Sequence, residues 1–417
     1  MKNYFDDIVK NVSGIVRIDS SQSEAKEGMP FGEGAAKALD YFLSLASFLG
    51  FETKNYDNYV GEVLFGSGED FAVLAHLDVV PAGSGWAHDP FGGEIDEESG
   101  RIWGRGTMDD KGPAIITLYA LKALKDEGFK PNKRIKLIVG CNEESGWGCI
   151  EHYNKVAKMP ETGISPDADF PVIYAEKGIL HIKLRLPASS AFSNLSGGEA
   201  SNMVCAYCGV NAPADEEKMC KYGLKQEGGR LYAIGKSAHG STPEKGVNAI
   251  EPVLQYLGLD EEAKALFTDK LGLKDLKDET GPLTLSPNVI EQTRGGIFVT
   301  CDIRYPATYK RESVINILDK CGYPYEILHE QAPLFNDKNG ELISTLLGVY
   351  NEVTGKDEQP VAIGGGTYAR ALKNGAAFGP EEDGEEPTIH QPNEYITFEK
   401  IKKCFAIYKL ALQRLTK

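Results

Sequence analysis

The chain has 417 residues, 41% of them hydrophobic, enough for two domains with cores of their own and too apolar for a disordered or fibrous protein. Its 61 acidic residues outnumber 45 Lys and Arg, and a net charge of −16 without any local basic patch argues against a nucleic-acid partner. No run approaches the ~18 to 20 apolar residues of a membrane span, and the eight cysteines are scattered, with only Cys205 and Cys208 close together, a pattern of reduced thiols in a cytoplasmic protein.

The N-terminal stretch carries apolar residues at Tyr4, Phe5, Ile8, Val9, Val12, Ile15 and Val16, a helical stripe rather than the unbroken core of a signal peptide. A second helix is expected from Glu33 to Leu49, ending at Gly50, and a third from about Gly112 to Glu127, ending at Gly128; both glycines suit a left-handed cap. Between and after them lie short apolar runs, Phe71–Ala75, Arg134–Gly140, Pro171–Tyr174 and His181–Leu186, and this alternation predicts an α/β sheet covered by helices. Past Pro187 a Ser/Gly-rich loop changes the texture. Strands at Ile297–Tyr305 and Tyr325–His329 flank an expected helix over Ala307–Cys321, an α+β arrangement. From Asn339 the α/β texture returns, through a helix to Val353, the run Pro360–Thr367 and a last helix from Phe398 to Leu415. The expected organisation is a discontinuous α/β domain, 1–187 with 332–417, and a smaller inserted α+β domain, 188–331.

Acids and histidines cluster at the punctuated ends of these runs. His76 follows Phe71–Ala75, where the carboxyl end of a strand opens onto the ligand crevice of an α/β sheet, and Asp78 stands two residues further on, placed to hold an imidazole that ligates a metal. Asp109 and Asp110 are crowded between glycines immediately before a helix, where Asp110 also suits an N-cap. Glu143 and Glu144 follow the run Arg134–Gly140, and adjacent acids there repel unless cations or protons offset them. A division of labour explains the pair: one glutamate as ligand, its neighbour as base. Asp167 and His390 sit in loops that are unremarkable alone and gain meaning from company, while His239 precedes a Ser/Thr/Pro segment of the insertion where it is a candidate oxyanion donor. Imidazoles with several carboxylates are the donor set of zinc, manganese or cobalt.

One rival pattern, Gly364-Gly-Gly-Thr-Tyr-Ala369, matches a dinucleotide-binding loop, but only 48 residues follow Ala369, too few for the remaining strands. No G-x-S-x-G nucleophile elbow is present.

Taken in order, HLDVVP (76–81), GRGTMDDKGP (104–113), NEESG (142–146), SPDADFPV (165–172), SAHGSTP (237–243) and IHQPNEY (389–395) resemble the dinuclear metallopeptidases that include aminoacylase, carboxypeptidase G-type enzymes, succinyl-diaminopimelate desuccinylase and carnosinase. The run on from Ser165 to Gly178 and GGGTYAR (364–370) bring the resemblance nearest to the bacterial dipeptidase V, or Xaa-His dipeptidase, branch. The resemblance implies a zinc-peptidase-like α/β catalytic domain with a ferredoxin-like lid, and two divalent ions, zinc first with manganese or cobalt as alternatives. It implies His76, Asp109 and Asp167 on one ion, and Asp109, Glu144 and His390 on the other, with a cis bond between Asp109 and Asp110. Glu143 becomes the general base that activates water and Asp78 the partner of His76. Asn202, His239 and Arg304 become substrate contacts, with Gly365, Gly366 and Thr367 offering backbone amides to the substrate carboxylate. The implied activity is hydrolysis of dipeptides with a free C-terminal carboxylate; an N-acyl amino acid amidohydrolase with the same site is the alternative, and a metal-loaded binding protein is a third reading that a spare Glu143 disfavours. A small peptide substrate, no nucleic-acid or membrane partner and a monomer or homodimer complete the expectation.

Overall fold

The computed structural model describes residues 4–187, 189–268 and 272–417, which form two compact units. Ala188, where the insertion is expected to begin, lies outside the described residues. The first unit comprises Met1–Tyr174, Asn336–Val361 and Thr367–Lys417, and the second Ala175–Phe335 with Ala362–Gly366.

The first unit is built on a mixed sheet in which the strands Lys133–Gly140, Glu69–His76, Thr162–Ser165 and Asn374–Ala377 run parallel in that spatial order. The antiparallel strands Val60–Phe65 and Glu52–Tyr56 extend it beyond Lys133–Gly140. Six consecutive residues of Glu69–His76 and six of Lys133–Gly140 are buried, as parallel strands covered on both faces require. The helix Lys111–Asp126 packs on Glu69–His76 and is covered in turn by the helices Phe5–Val16 and Phe398–Leu415, which explains why nearly all its side chains are buried. Gly50 and Gly128 both adopt positive φ, 87° and 75°, each two residues past the helix it ends.

The second unit carries an eight-stranded antiparallel sheet, ordered Lys225–Glu227, Arg230–Ile234, Tyr207–Asn211, Ser193–Gly197, Thr284–Thr293, Gly296–Tyr305, Gly178–Leu186 and Tyr325–Gln331. Its apolar face and the helices upon it form one core that takes in Leu184, Val253, Val299, Ile303 and Val314. Cys205 and Cys208 lie in that core as free thiols.

Three expected elements differ. The run His181–Leu186, expected in the α/β sheet, belongs to the strand Gly178–Leu186 of the antiparallel sheet, where it pairs with Gly296–Tyr305 and Tyr325–Gln331. The helix expected over Ala307–Cys321 is confined to Arg311–Leu318, because the Asp278 carboxylate accepts from both the backbone N–H and the hydroxyl of Thr308, fixing residues 307–310 as a turn. The run Pro360–Thr367 yields only the short strand Val361–Ile363, and a single 3-10 turn, Tyr368–Ala371, follows it. The dinucleotide pattern at Gly364–Ala369 therefore lacks the helix whose N-terminus would bind a pyrophosphate.

Candidate metal centre

Four site residues of the first unit leave the sheet at the carboxyl ends of its parallel strands, whereas Asp109 stands just before the helix Lys111–Asp126 and His390 in the loop before the strand Tyr395–Thr397. His76 is the last residue of its strand, Glu143 and Glu144 follow Gly140, and Asp167 follows Ser165. This is the edge at which open α/β sheets bind ligands.

Asp109 stands at the centre. One carboxylate oxygen lies 2.9 Å from His76 Nε2 and the other 2.9 Å from His390 Nε2, and the peptide bond to Asp110 is cis. Asp167 Oδ1 is 3.7 Å from His76 Nε2, and Glu144 Oε1 is 3.2 Å from His390 Nε2. Two trios, His76 with Asp109 and Glu144, and His76 with Glu143 and Asp167, each offer donor atoms within 4.8 Å of one another. The second trio includes Glu143, a position from which its carboxylate can ligate as well as take a proton.

His76, Asp109 and Asp110 are buried, Glu143, Glu144 and Asp167 partly so, and His390 stands at the open side of the cluster. Burial pushes the Glu143 carboxyl well above the ordinary carboxylate range, with Asp167 adding to it, and burial likewise raises Asp110 and Glu144. Asp167 is pushed up to about 6 by burial, against the pull of His76. Burial alone would lower both imidazoles, but the carboxylates around them raise His76 well above its usual value and His390 to about 11. Acids this close and this buried call for positive charge between them. Donor types and placement fit divalent metal ions, with each oxygen of Asp109 facing a different imidazole as a bridging carboxylate would.

Asp78 is fully buried and holds the centre from below. Its two oxygens accept the backbone N–H groups of Glu143 and Glu144, each at 3.0 Å, while its own carbonyl receives His76 Nδ1 at 3.0 Å and its carboxylate stands 3.5 Å from the same nitrogen. The imidazole contact is shared by the Asp78 carbonyl and, at longer range, its carboxylate, which also orients the glutamate pair. Asp110 occupies the N-cap position of its helix without a side-chain cap bond; its Oδ2 accepts the His76 backbone N–H at 3.1 Å.

Three supporting residues escaped the reading of the sequence. Trp147 donates its indole N–H to Glu143 Oε1 at 3.1 Å and is aimed there by a left-handed backbone, φ 63°, between two glycines. Asn393 accepts the backbone N–H groups of Ala87 and His88 at 2.6 and 3.3 Å, tying the His390 loop to the segment after the His76 strand. Glu394, fully buried, accepts from the amides of Gly106, Met108 and Asp109 at 3.0, 2.9 and 3.4 Å and from Arg105 Nη1 at 2.7 Å. The N-E pair directly after the His390 loop was a visible signal, but nothing local names its partners.

The expected substrate contacts Asn202, His239 and Arg304 lie in the second unit, with Gly365 and Gly366, whereas Thr367 belongs to the first. His239 Nδ1 is 2.7 Å from Ser241 Oγ, and burial, helped by Arg304, lowers its pKa. Arg304 is nearly buried and makes two bonds to Asp302, with Nη1 3.3 Å from the Gly364 carbonyl. Asn202 is exposed, and the Thr367 hydroxyl accepts from the Ala369 backbone N–H, so it serves the 3-10 turn.

Fold and donor set together define an α/β metallohydrolase. The chain belongs to peptidase family M20/M25/M40, whose family model matches residues 72–414, and it is a metallopeptidase by that membership. It is 33% identical over 454 residues to the Beta-Ala-Xaa dipeptidase of Lactobacillus delbrueckii subsp. lactis, covering 99% of this chain and 96% of that one. YtjP of Bacillus subtilis is 36% identical over 455 residues, covering 99% and 98%. Human carnosine dipeptidase 1 shares the fold with a TM-score of 0.62 at 15% identity, over 98% of this chain and 96% of that one. Among the described residues no helix is long and apolar enough to cross a membrane.

Proposed function

We propose that this protein is a dipeptidase that hydrolyses the peptide bond of dipeptides bearing a free C-terminal carboxylate, with two zinc ions in its site. The observation that carries the reading is the Asp109 carboxylate set between His76 and His390, with Glu143 close by and held by Trp147. The resemblance over nearly the whole chain to a protein described as a Beta-Ala-Xaa dipeptidase supports a small peptide as substrate.

His76, Asp109 and Asp167 would hold one ion and Asp109, Glu144 and His390 the other; when bound, the ions supply Lewis-acid polarisation of the scissile carbonyl and acidify water. Glu143 takes the proton of the attacking water and returns it to the leaving amine. The Trp147 indole fixes one Glu143 oxygen and leaves the other for the proton. Asp78 keeps the glutamate pair in place through its two amide bonds. The inserted segment 188–331 acts as the lid, in which His239 donates to the developing oxyanion, Asn202 contacts the substrate and Arg304 pairs with its carboxylate, helped by amides of Gly365, Gly366 and Thr367. The working form is a cytoplasmic monomer or homodimer.

The test is a panel of dipeptides set against acetylated and succinylated amino acids, run on zinc-loaded protein with and without a chelator. Turnover of dipeptides that the chelator abolishes is expected, and preferential cleavage of the acylated amino acids would move the assignment to an amidohydrolase. Glu143→Ala is expected to lower kcat by roughly 10²- to 10⁴-fold, the usual contribution of a general base, while both metals stay bound; full activity in that variant would remove Glu143 from the role of base.

A further inference from the structure

Alternation along the strand Gly296–Tyr305 sends Val299, Cys301, Ile303 and Tyr305 into the core of the second unit and turns Asp302 and Arg304 to the opposite face. A charged pair on the open face of a sheet ordinarily stays in water. Here Asp302 is fully buried and Arg304 only 4% exposed.

Two things cover them. His181 stands directly across the ladder from Asp302, its buried Nε2 3.5 Å from Oδ1. Gly240, next to His239, passes over the other side so closely that a Cβ there would lie 2.4 Å from Asp302 Oδ2. The Gly240 backbone N–H donates to the Asn202 carbonyl at 2.7 Å, and Met203 bridges to His239. Asp302 therefore touches the segments that carry Arg304 and His239, and the Asn202 segment is tied to the second of these through Gly240 and His239.

The Arg304 fork is closed on one edge. Nε lies 2.7 Å from Asp302 Oδ1 and Nη2 2.9 Å from Oδ2, the paired geometry that fixes a guanidinium in plane. The end-on edge, formed by Nη1 and the second N–H of Nη2, is left to meet a ligand, with Nη1 now 3.3 Å from the Gly364 carbonyl.

We propose that Asp302 is a positioning residue for substrate recognition, locking Arg304 so that its Nη1–Nη2 edge meets the substrate's C-terminal carboxylate, and seating the His239 segment through contact with Gly240. The inference rests on the dipeptidase reading and on Arg304 as the carboxylate contact. Because Asp302 already neutralises Arg304, the site selects a carboxylate by the direction of the remaining N–H groups more than by net charge. Loss of Asp302 would free the arginine to swing and blunt that selection.

The experiment compares kcat/KM for a dipeptide with that for its C-terminal amide in zinc-loaded wild type, Arg304→Ala, Asp302→Asn and Gly240→Ala, with metal content measured in each. The wild type is expected to favour the free carboxylate at least tenfold, Arg304→Ala to erase the preference, and Asp302→Asn to lower the ratio at least fivefold through KM for the carboxylate substrate, any loss that comes through the His239 segment falling on both substrates alike. Gly240→Ala keeps the charge but pushes against Asp302, and is expected to lower the preference in the same direction; it carries the test if Asp302→Asn does not fold. In an Arg304→Ala background, Asp302→Asn is expected to change the ratio no further. A wild type that prefers the carboxylate, with Asp302→Asn and Gly240→Ala preferring it equally, would overturn the role of Asp302 alone. A wild type without preference would overturn the Arg304 assignment and the role of Asp302 with it.

Discussion

Glutamine at position 394 preserves the size of the side chain and replaces one carboxylate oxygen with an NH2 group. The native carboxylate satisfies two kinds of donor at once, three amides of the turn before Asp109 on Oε1 and the Arg105 guanidinium on Oε2. Glutamine can serve only one of them: with its carbonyl on the amides it points N–H groups at Arg105, and flipped it orphans the amides. Arg105 is 2% exposed, so its charge cannot turn to water. Removing one partner of a buried ion pair costs about 3–5 kcal/mol, and the Trp86 ring, 5.2 Å from the guanidinium carbon, offers a partial substitute of about 0.5–2 kcal/mol. A net loss of about 3 kcal/mol is expected. Burial pushes the Glu394 carboxyl up to about 6, with Asp109 adding to it, so urea unfolding of chelator-treated protein at pH 8 compares the ionised wild type with Glu394→Gln. The same change loosens the Asp109 turn, and zinc affinity by titration calorimetry is expected to fall about 10- to 100-fold, as for other residues that orient metal ligands. Adding Arg105→Met should recover part of the stability by removing the stranded cation. A loss under 1 kcal/mol together with unchanged zinc affinity would refute the reasoning.

Asp78→Ala removes the acceptor of the Glu143 and Glu144 amides, and zinc affinity is expected to fall about 10- to 100-fold with the fold retained by circular dichroism; unaltered affinity would show the pair to be held by other means. Glu381 carries a pH signature: burial, with Asp169 adding to it, pushes its carboxyl up to about 7. Its ordinary value is about 4.3, so the folded state keeps a proton that the unfolded chain releases, and stability falls as pH rises from there through about 7 and then levels. Glu381→Gln should leave Tm unchanged near pH 4.5 and raise it above pH 7 relative to wild type; parallel Tm profiles would exclude the effect.

Much of the first unit was legible because its signals are local. Helix ends at Gly50 and Gly128 need only a residue that tolerates positive φ, and the buried parallel strands announce themselves as short apolar runs. The helix over Ala307–Cys321 was overestimated because the Asp278 carboxylate, about thirty residues earlier in the chain, outcompetes helix formation at Thr308. Trp147 remained hidden because an indole beside glycines reads as ordinary packing until its N–H is seen to reach Glu143.

The sequence by itself determined the chemistry available: two imidazoles and a set of carboxylates, each in a Gly- or Pro-punctuated stretch, several of them where a strand must stop and hand its next side chains to the crevice. It also set which family the chain joins, since that rests on short motifs read in order. Only the tertiary structure decided how those groups are held. That Asp109 meets two histidines, that Glu394 binds the turn in front of it, and that Asp302 takes one edge of Arg304 under a glycine all depend on backbone brought together from distant parts of the chain or on a strand's turn toward a covered face. Such contacts are fixed by packing and direction in space, and neither has a signature within a window of sequence.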